Sequence, residues 1–556
     1  MLAVVGIAVS ATAPRHGLHA IRKAGLLAAP ESIAFVTPAF TVTVVSAQVT
    51  AGGQISADFK IADSNGLPLD RTGASTPGPL TLTFICSYIP QGQSQYVSYT
   101  TRVRTDAATG LSATQATGDT GGTFQNVAPG EYIYTFAAAA PASLDRSATH
   151  TVGVWATRNL SAFSLSNTFS DAAYTFVPNG SPVQTVRDIV KTASCNQCHD
   201  PISAHGGARR SVEVCILCHT PQTSDPVTGT VDFPVLVHKI HRGSSLPSVV
   251  AGGSFKVGTT DFSSIVFPTD VRNCTMCHQQ TTGAKQAQNY ATNPTRAACG
   301  SCHDNVNFVT GANHVNNPQS TDNQCSTCHI PQGDLDFDAS VLGAHVVANE
   351  STTLTGTVFG LLKVDNATAG QKPTVTFTLK DKGGNPILPS AMTRLTLVLA
   401  GPTTDYSAFV SESALAATGN SSTGTYSYTF TNAIPAGATG SYTIGIEGYR
   451  NVILAPNTDK QVTARDIGKN QEITFPADAT PVANRRVVVS VDKCTACHFS
   501  LTPHGGTRNQ TTECVLCHNP NQTDSASPAQ GINFATLVHK IHRGACLLYT
   551  SDAADE

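Results

Sequence analysis

Residues 195–243 read CNQCHDPISAHGGARRSVEVCILCHTPQTSDPVTGTVDFPVLVHKIHRG, and this stretch predicts the architecture of the whole chain. It contains two Cys-x-x-Cys-His motifs, which begin at Cys195 and Cys215, followed by further histidines. In this motif two thiols add to the vinyl groups of a c-type haem, and the adjacent histidine is placed to bind the iron. Nearly the same text returns at 494–544, so the pattern is used twice.

Fourteen of the sixteen cysteines fall in seven such motifs. A disulfide framework does not need a histidine after every second cysteine, and zinc sites would not repeat one pentapeptide so often. Zinc and bare redox pairs remain as the weaker alternatives. The predicted haem-binding cysteines are Cys195, Cys198, Cys215, Cys218, Cys274, Cys277, Cys299, Cys302, Cys325, Cys328, Cys494, Cys497, Cys514 and Cys517. The predicted iron ligands within the motifs are His199, His219, His278, His303, His329, His498 and His518.

The composition excludes several classes of function. The chain has 556 residues, which indicates three or four domains rather than one core. Its formal net charge is -3 and only 13% of its residues are charged, so no basic surplus indicates nucleic-acid binding. The 45 glycines and 31 prolines favour turns and short strands over long helices.

The start of the chain resembles a secretion signal. Residues 1–39 form an N-terminal extension whose first part, MLAVVGIAVSATA, is apolar and ends in small residues, although it lacks a basic beginning. An ordinary extension is the alternative. Haem attachment of this kind follows export, so we expect an exported protein. No stretch is long enough to predict a membrane-spanning helix.

Two segments, 40–184 and 349–482, have the pattern of β-strands. β-Branched and aromatic residues alternate with polar ones, and Gly, Pro and Asn punctuate them. The two segments also match each other piece by piece, as in TVGV at 151–154 and TIGI at 443–446. We predict two mainly β domains of Greek-key or split-barrel type, each followed by a multihaem domain of short helices and little regular secondary structure.

The two multihaem segments are 185–348, with five motifs, and 483–545, with two. The first has little apolar sequence between its motifs, so the porphyrins must serve as its core. The second copies the beginning of the first and then stops. Residues 546–556, CLLYTSDAADE, match nothing earlier. We therefore expect a truncated chain with a foreign tail, from a parent that carries about ten haems.

Histidines outside the motifs decide what the bound iron can do. The five-motif segment has five of them, and three recur in the copy. Equal numbers permit iron with histidine on both sides, although a single spare histidine is more often a surface residue. The predicted distal ligands are His205, His238, His241, His314, His345, His504, His539 and His542.

VHKIHRG predicts a short helix with His238 and His241 on one face, three residues apart. Two ligands so placed cannot clasp opposite sides of one haem, so we expect them to serve two different haems. His205 follows His199 by only six residues, which makes it difficult to reach around one porphyrin. We therefore expect His205 to bind the iron of a neighbouring motif.

Methionine ligation is nearly excluded, because the chain has only three methionines. Met/His ligation raises the potential of haem, so its absence indicates low potentials. Iron held by two histidines has no open position, which favours electron transfer over catalysis, and no catalytic residue is identified. The alternatives are a multihaem reductase of a small oxyanion and a periplasmic electron store.

The Cys-x-x-Cys-His series, His-Gly-Gly at 205–207 and 504–506, and VHKIHRG at 237–243 and 538–544 resemble the OmcA/MtrC family of outer-membrane decahaem c-type cytochromes. The resemblance covers 40–544 and implies β and haem domains in alternation. It implies electron transfer at the cell surface, from a partner cytochrome or porin–cytochrome complex to extracellular metal oxides, metal chelates or flavins. This process is dissimilatory metal reduction, and the resemblance leaves open whether the chain itself acts as the terminal metal reductase. It implies no nucleic-acid partner.

Three features depart from the family pattern. The second haem domain is incomplete, and the lipidation cysteine that is common near the family's start is missing, which leaves surface attachment unsupported and the periplasm as the alternative location. The second β segment also contains no cysteine, which excludes the disulfide that some relatives carry there.

Overall fold

The computed structural model describes residues 30–544 and divides them into two compact units. The described part of the first unit covers 30–267 and 274–331, and that of the second covers 268–273 and 332–544. The predicted signal-like segment at 1–13 and the predicted tail at 546–556 lie outside the described residues.

The first unit begins with a β-sandwich. Its elements are α1 (Pro30–Val36), β1 (Phe40–Val49), β2 (Gln54–Asp63), β3 (Leu80–Tyr88), β4 (Val97–Ser98), β5 (Thr101–Thr105), β6 (Ser112–Ala116), β7 (Thr123–Ala128), β8 (Glu131–Ala139), β9 (His150–Arg158) and β10 (Thr168–Phe176). Two antiparallel sheets have the strand orders β1-β2-β8-β7 and β10-β9-β3-β4, and β5 pairs with β6 alone.

The core of this sandwich comes from the inner faces of both sheets. Ile55 and Phe59 on β2 are fully buried, as the alternation of the strand requires. They share one cluster with Phe84 on β3 and Val154 on β9. The rings of Phe59 and Phe84 lie 5.1 Å apart. Burying each such side chain stabilises the fold by about 1.5–3 kcal/mol.

The rest of the first unit has short helices and two small hairpins. Its elements are α2 (Thr192–Cys195), α3 (Val212–Cys218), β11 (Ser224–Asp225), β12 (Gly229–Thr230), α4 (Phe233–Arg242), α5 (Pro247–Val250), β13 (Lys256–Val257), β14 (Thr260–Asp261), α6 (Asn289–Thr292), α7 (Arg296–Cys302) and α8 (Cys325–Cys328). The segment VHKIHRG lies in α4 and at its end, as the sequence predicts.

The second unit repeats this plan. Its elements are α9 (Val341–Ala344), β15 (Val358–Asp365), β16 (Thr374–Lys380), β17 (Arg394–Gly401), β18 (Ala408–Ser413), β19 (Thr418–Asn420), β20 (Thr425–Thr429), β21 (Ser441–Leu454), β22 (Val462–Ile467), β23 (Gln471–Pro476), α10 (Val491–His498), α11 (Thr511–Cys517) and α12 (Phe534–Arg543). One sheet has the order β15-β16-β20-β19, and the other has β18-β17-β21-β22 with β23 also paired to β21. Phe377, Leu397 and Ile444 are fully buried between them.

The predicted fold class, β domains that alternate with segments of short helices, is confirmed. The hairpin of β5 and β6 was not predicted, because all five residues of β5 are exposed and its sequence, TRVRT, has no buried face. Within residues 30–544, no helix is long and apolar enough to cross a membrane.

Candidate functional site

Each Cys-x-x-Cys motif places its two thiols on one face of a helical turn. Cys215 and Cys218 close α3, and Cys299 and Cys302 lie at the end of α7. Positions three apart face the same side, so both sulfurs can reach one planar group. At the end of α3, the His219 backbone N–H donates a hydrogen bond to the Cys215 carbonyl at 2.9 Å. This bond fixes where the histidine leaves the helix.

The surroundings of the thiols favour an uncharged sulfur. Burial raises the pKa of Cys215, Cys514 and Cys517 to about 12 each, and that of Cys195 and Cys274 to about 11 each. A zinc or iron–sulfur site needs thiolates, which such pockets disfavour. The thioether formed with a haem vinyl group carries no charge, so these pockets fit covalent haem.

Among the described residues, six pairs of histidines face each other with ring centroids about 6 Å apart, and each of these pairs joins one motif histidine to one spare histidine. The pairs are His199 and His241 at 6.2 Å, His219 and His205 at 5.9 Å, His278 and His238 at 6.3 Å, His329 and His314 at 6.1 Å, His498 and His542 at 5.8 Å, and His518 and His504 at 6.1 Å.

This separation fits a metal ion between the rings. Imidazole nitrogens bound on opposite sides of one metal at about 2.0–2.1 Å each lie about 4 Å apart, which places the ring centroids about 6 Å apart. Rings that simply stacked on each other would come closer, since offset-stacked rings begin at centroid distances of about 4.5 Å. The six pairs therefore fit two axial ligands of one iron.

Backbone carbonyls orient several of these imidazoles. The Nδ1 atoms of His219, His241, His518 and His542 lie 2.8–2.9 Å from the carbonyl oxygens of Val231, Val237, Ile532 and Val538, respectively. A carbonyl only accepts, so Nδ1 carries the proton and donates it, and the lone pair remains on Nε2. That tautomer is the one an Nε2-ligated metal requires.

Burial also keeps ligand histidines neutral, which is the form that binds metal. It lowers the pKa of His205, His238 and His278 to about 4 each. His238 and His278 face each other, and burial also lowers the pKa of His219, the partner of His205, so both sides of these two pairs favour the neutral imidazole.

Helix α4 carries two histidines that face two different motifs. His238 faces His278, whereas His241 faces His199, so adjacent turns of one helix reach two sites. In the copy, His542 on α12 faces His498. His539, which corresponds to His238, is exposed on the same helix.

The His-Gly-Gly turns explain how a histidine so close to its own motif reaches the next one. His205, Gly206 and Gly207 have φ angles of 52°, 75° and 94°, and the same three left-handed residues recur at His504. Glycine adopts this region without strain, whereas a histidine there is uncommon. The turn aims His205 at His219 rather than at its own motif.

Motif helices dock on the sandwiches through two glycines. A Cβ on Gly153 of β9 would lie 2.6 Å from Leu217 Cδ1 on α3, and one on Gly445 of β21 would lie 2.6 Å from Leu516 Cδ1 on α11. These glycines allow close approach of helix and sheet. The two glycines align in the sequence repeat, but this role was not predicted from them; its signal is a glycine at the same position of both otherwise apolar strands.

Two predicted ligands fall in different units. His303 follows α7 in the first unit, and His345 follows α9 in the second, with its Nδ1 2.7 Å from the Val341 carbonyl oxygen. The hydrogen bond gives His345 the same tautomer as the paired histidines.

Comparisons with known proteins identify the haem segments. The family described as "Outer membrane cytochrome MtrC/MtrF-like, domains II/IV" matches residues 187–340 and 486–555. A curated relative, the multiheme cytochrome MtrC of Shewanella baltica (strain OS185), is 31% identical over 166 residues. That alignment covers 30% of this chain and spans 21% of the relative's length.

Two solved structures share the fold over most of the chain. The outer membrane decaheme cytochrome OmcA matches with a TM-score of 0.67 and 19% identity, over 92% of this chain and 82% of that one. MtrC from Shewanella baltica OS185 matches with a TM-score of 0.65 and 22% identity, over 91% of this chain and 85% of that one.

The repeated thiol pairs and the facing histidines on this fold define a multihaem c-type cytochrome that binds haem c. Within that class, residues 187–340 and 486–555 match the MtrC/MtrF-like domain II/IV family, and the fold is similar to that of the outer-membrane cytochromes OmcA and MtrC.

Proposed function

We propose that the chain binds seven haems c, five in segment 185–348 and two in 483–545, through the fourteen motif cysteines. Each motif histidine serves as one axial ligand. His205, His238, His241, His314, His504 and His542 serve as the second ligands of the motifs they face, and His345 and His539 are further ligands. The observation that carries this proposal is the set of six histidine pairs about 6 Å apart.

The function that follows is electron transfer. When bound, the haems supply one-electron iron couples between which electrons hop, from a periplasmic or outer-membrane partner cytochrome or porin–cytochrome complex to extracellular metal oxides, metal chelates or flavins. The chain's own residues fix the ring positions, hold the imidazoles in the ligating tautomer and keep them neutral. The cell surface is the proposed location, with the periplasm as the alternative.

The paired histidines favour this role over a reductase of small oxyanions. A reductase needs a site where substrate can reach the reacting metal. Here a second imidazole occupies the position opposite each of six motif histidines. The side chains therefore exclude substrate from both axial positions at these six sites.

Haem content and spectrum test the proposal. The purified holoprotein should have the mass of the chain plus seven haems and a low-spin optical spectrum throughout. A mass with fewer haems would contradict the number seven, and free thiols retained in one motif would show that this motif does not bind haem.

A ligand-binding assay separates electron carrier from reductase. Carbon monoxide added to the reduced protein and cyanide added to the oxidised protein should bind slowly and in less than one equivalent. One haem that reacts rapidly and completely would support the reductase instead. A protease added to intact cells tests the location: cleavage would support the cell surface, and protection would support the periplasm.

A further inference from the structure

The second motif occurs at equivalent places in both units, but different charges surround the two copies. The first pocket is formed by 215–219 and the residues that pack on it, and the second pocket by 514–518 and its surroundings. Position 209 in the first corresponds to position 508 in the second, and both are arginine. Since each guanidinium lies beside a haem-binding motif, its partners determine the local electric field.

In the first pocket, Arg209 keeps an uncompensated positive charge. Its guanidinium carbon lies 4.3 Å from the centroid of the Trp155 ring, and its Nε is buried with no hydrogen-bond partner. No carboxylate of residues 30–544 forms an ion pair with it. An aromatic face attracts a cation but does not cancel its charge.

In the second pocket, Glu447 takes the position of Trp155 and neutralises the equivalent arginine. Arg508 Nε lies 2.6 Å from Glu447 Oε2, and the Glu447 side chain is fully buried. Arg394 reaches Glu447 Oε1 at 2.5 Å from the outer side, with 42% of its side chain exposed. Glu513, which replaces the buried Val214 of the first pocket, adds a second carboxyl that is buried in the same place.

Other charge differences between the pockets offset one another. Asp171 and Arg210 of the first pocket both correspond to asparagines in the second, so an anion and a cation disappear together. Glu213 of the first pocket, which accepts a hydrogen bond from Thr192, has a counterpart in Glu472 on the neighbouring strand β23, which accepts one from α11. The partners of the conserved arginine remain as the main difference.

We propose that these partners set the reduction potentials of the two equivalent haems apart, with the first-pocket haem higher. Reduction from Fe(III) to Fe(II) adds one electron and removes one positive charge from the site, so the unneutralised Arg209 favours the reduced state. Buried Glu447 offsets the same effect of Arg508, and Arg394, whose side chain is 42% exposed, is screened by solvent and restores only part of the positive charge, so the oxidised state is favoured there. The inference rests on the proposed function, since it requires haem at both motifs.

Paired variants test it by spectroelectrochemical titration of the holoprotein. Arg209→Gln should lower the potential of one haem, and Glu447→Gln should raise that of another, each by at least tenfold in the reduction equilibrium, or about 59 mV for one electron. The haem shifted by Arg209→Gln should start at the higher potential in the wild-type protein. Arg209→Lys, which keeps the charge, is the matched control and should shift little.

Equal starting potentials, or the opposite order, would overturn the inference while leaving haem binding intact. Mass spectrometry on each variant distinguishes this from failure of the proposed function, in which haem is absent from the wild-type motifs. If Arg209→Gln does not take up haem, Arg394→Gln provides the test in the second pocket. It removes a partly exposed cation, so the potential of the second-pocket haem should fall, and an unchanged potential would contradict the proposal.

Discussion

At the scale of single residues, one imidazole determines whether an iron can accept an external ligand. His241 faces His199, so in the proposed haem site His241→Ala should leave the iron with one protein ligand. We expect one haem equivalent to become high-spin and to bind carbon monoxide rapidly, while the other haems keep their low-spin spectrum. Arg242→Ala, on the same helix, is the control and should leave the spectrum unchanged. A fully low-spin His241→Ala protein would contradict the pairing.

Glu412 makes the stability of the second sandwich depend on pH. Burial alone raises the pKa of this carboxyl, but hydrogen bonds from the Thr431 and Asn432 amides, the Asn432 side chain and the Tyr428 hydroxyl outweigh burial and lower its pKa to about 2. Because the folded pKa is depressed, the stabilisation is complete above pH 4.5 and is lost as the pH falls towards 2. Glu412→Gln should lower the free energy of unfolding at pH 7 by about 1–3 kcal/mol.

Chemical denaturation followed by circular dichroism at pH 7 and at pH 3 measures this. The difference in stability between the wild-type protein and Glu412→Gln should shrink at the lower pH. A difference of equal size at both values would show that packing, rather than ionisation, accounts for the effect.

Glu513 should give the stability of the protein the opposite dependence on pH. Burial raises its pKa well above 4.5, and the nearby carboxylates Glu472 and Glu447 raise it further. Ionisation is therefore costly in the folded state, and the stability of the protein falls as the pH rises above 4.5 towards the folded pKa. Glu513→Val, which introduces the residue found at Val214, should raise the free energy of unfolding at pH 7 by about 1–3 kcal/mol. Thermal melts should show a smaller gain at pH 4, and a gain that grows at low pH would contradict the argument.

At the scale of elements, the contact between α3 and β9 joins the first haem segment to the first β-sandwich. Gly153→Val would place methyl groups within the van der Waals contact of Leu217, so α3 must shift and the protein should lose about 1–3 kcal/mol of stability. Gly52→Val is the control, because a Cβ there meets only Thr50 Oγ1 at 4.0 Å. Thermal unfolding checks both, and equal melting temperatures for the two variants would refute a role for close approach.

Elements with a strong local signal could be predicted, and those without one could not. The apolar spacing and the histidines of VHKIHRG predict the helix that ends at Arg242. The hairpin of β5 and β6 has little buried surface and left no pattern. The left-handed φ of His205 could not be predicted from its residue type, although the following glycines indicate a turn.

At the scale of the whole molecule, the repeat and the haem-binding motifs could be read from the sequence because both are local or periodic. Which histidine faces which motif could be read only in part. Residue spacing indicated that His238 and His241 reach different motifs, but their partners, His278 and His199, depend on how distant segments pack. The side chains that face Arg209 and Arg508, which are Trp155 and Glu447, likewise come from strands far away in the sequence.

The distribution of apolar residues predicts how the molecule behaves without haem. The sandwich at 40–184 has its own large core, whereas the segment that follows α3, up to 331, has few buried apolar side chains larger than alanine. Haem must supply the missing buried surface, so the chain produced without haem attachment should keep folded sandwiches and lose order between 220 and 331. Limited proteolysis with mass spectrometry should cut that segment rapidly and leave a fragment covering 40–184, while the holoprotein resists. Equal cleavage of both regions in the haem-free chain would show that the sandwich, too, depends on haem for its stability.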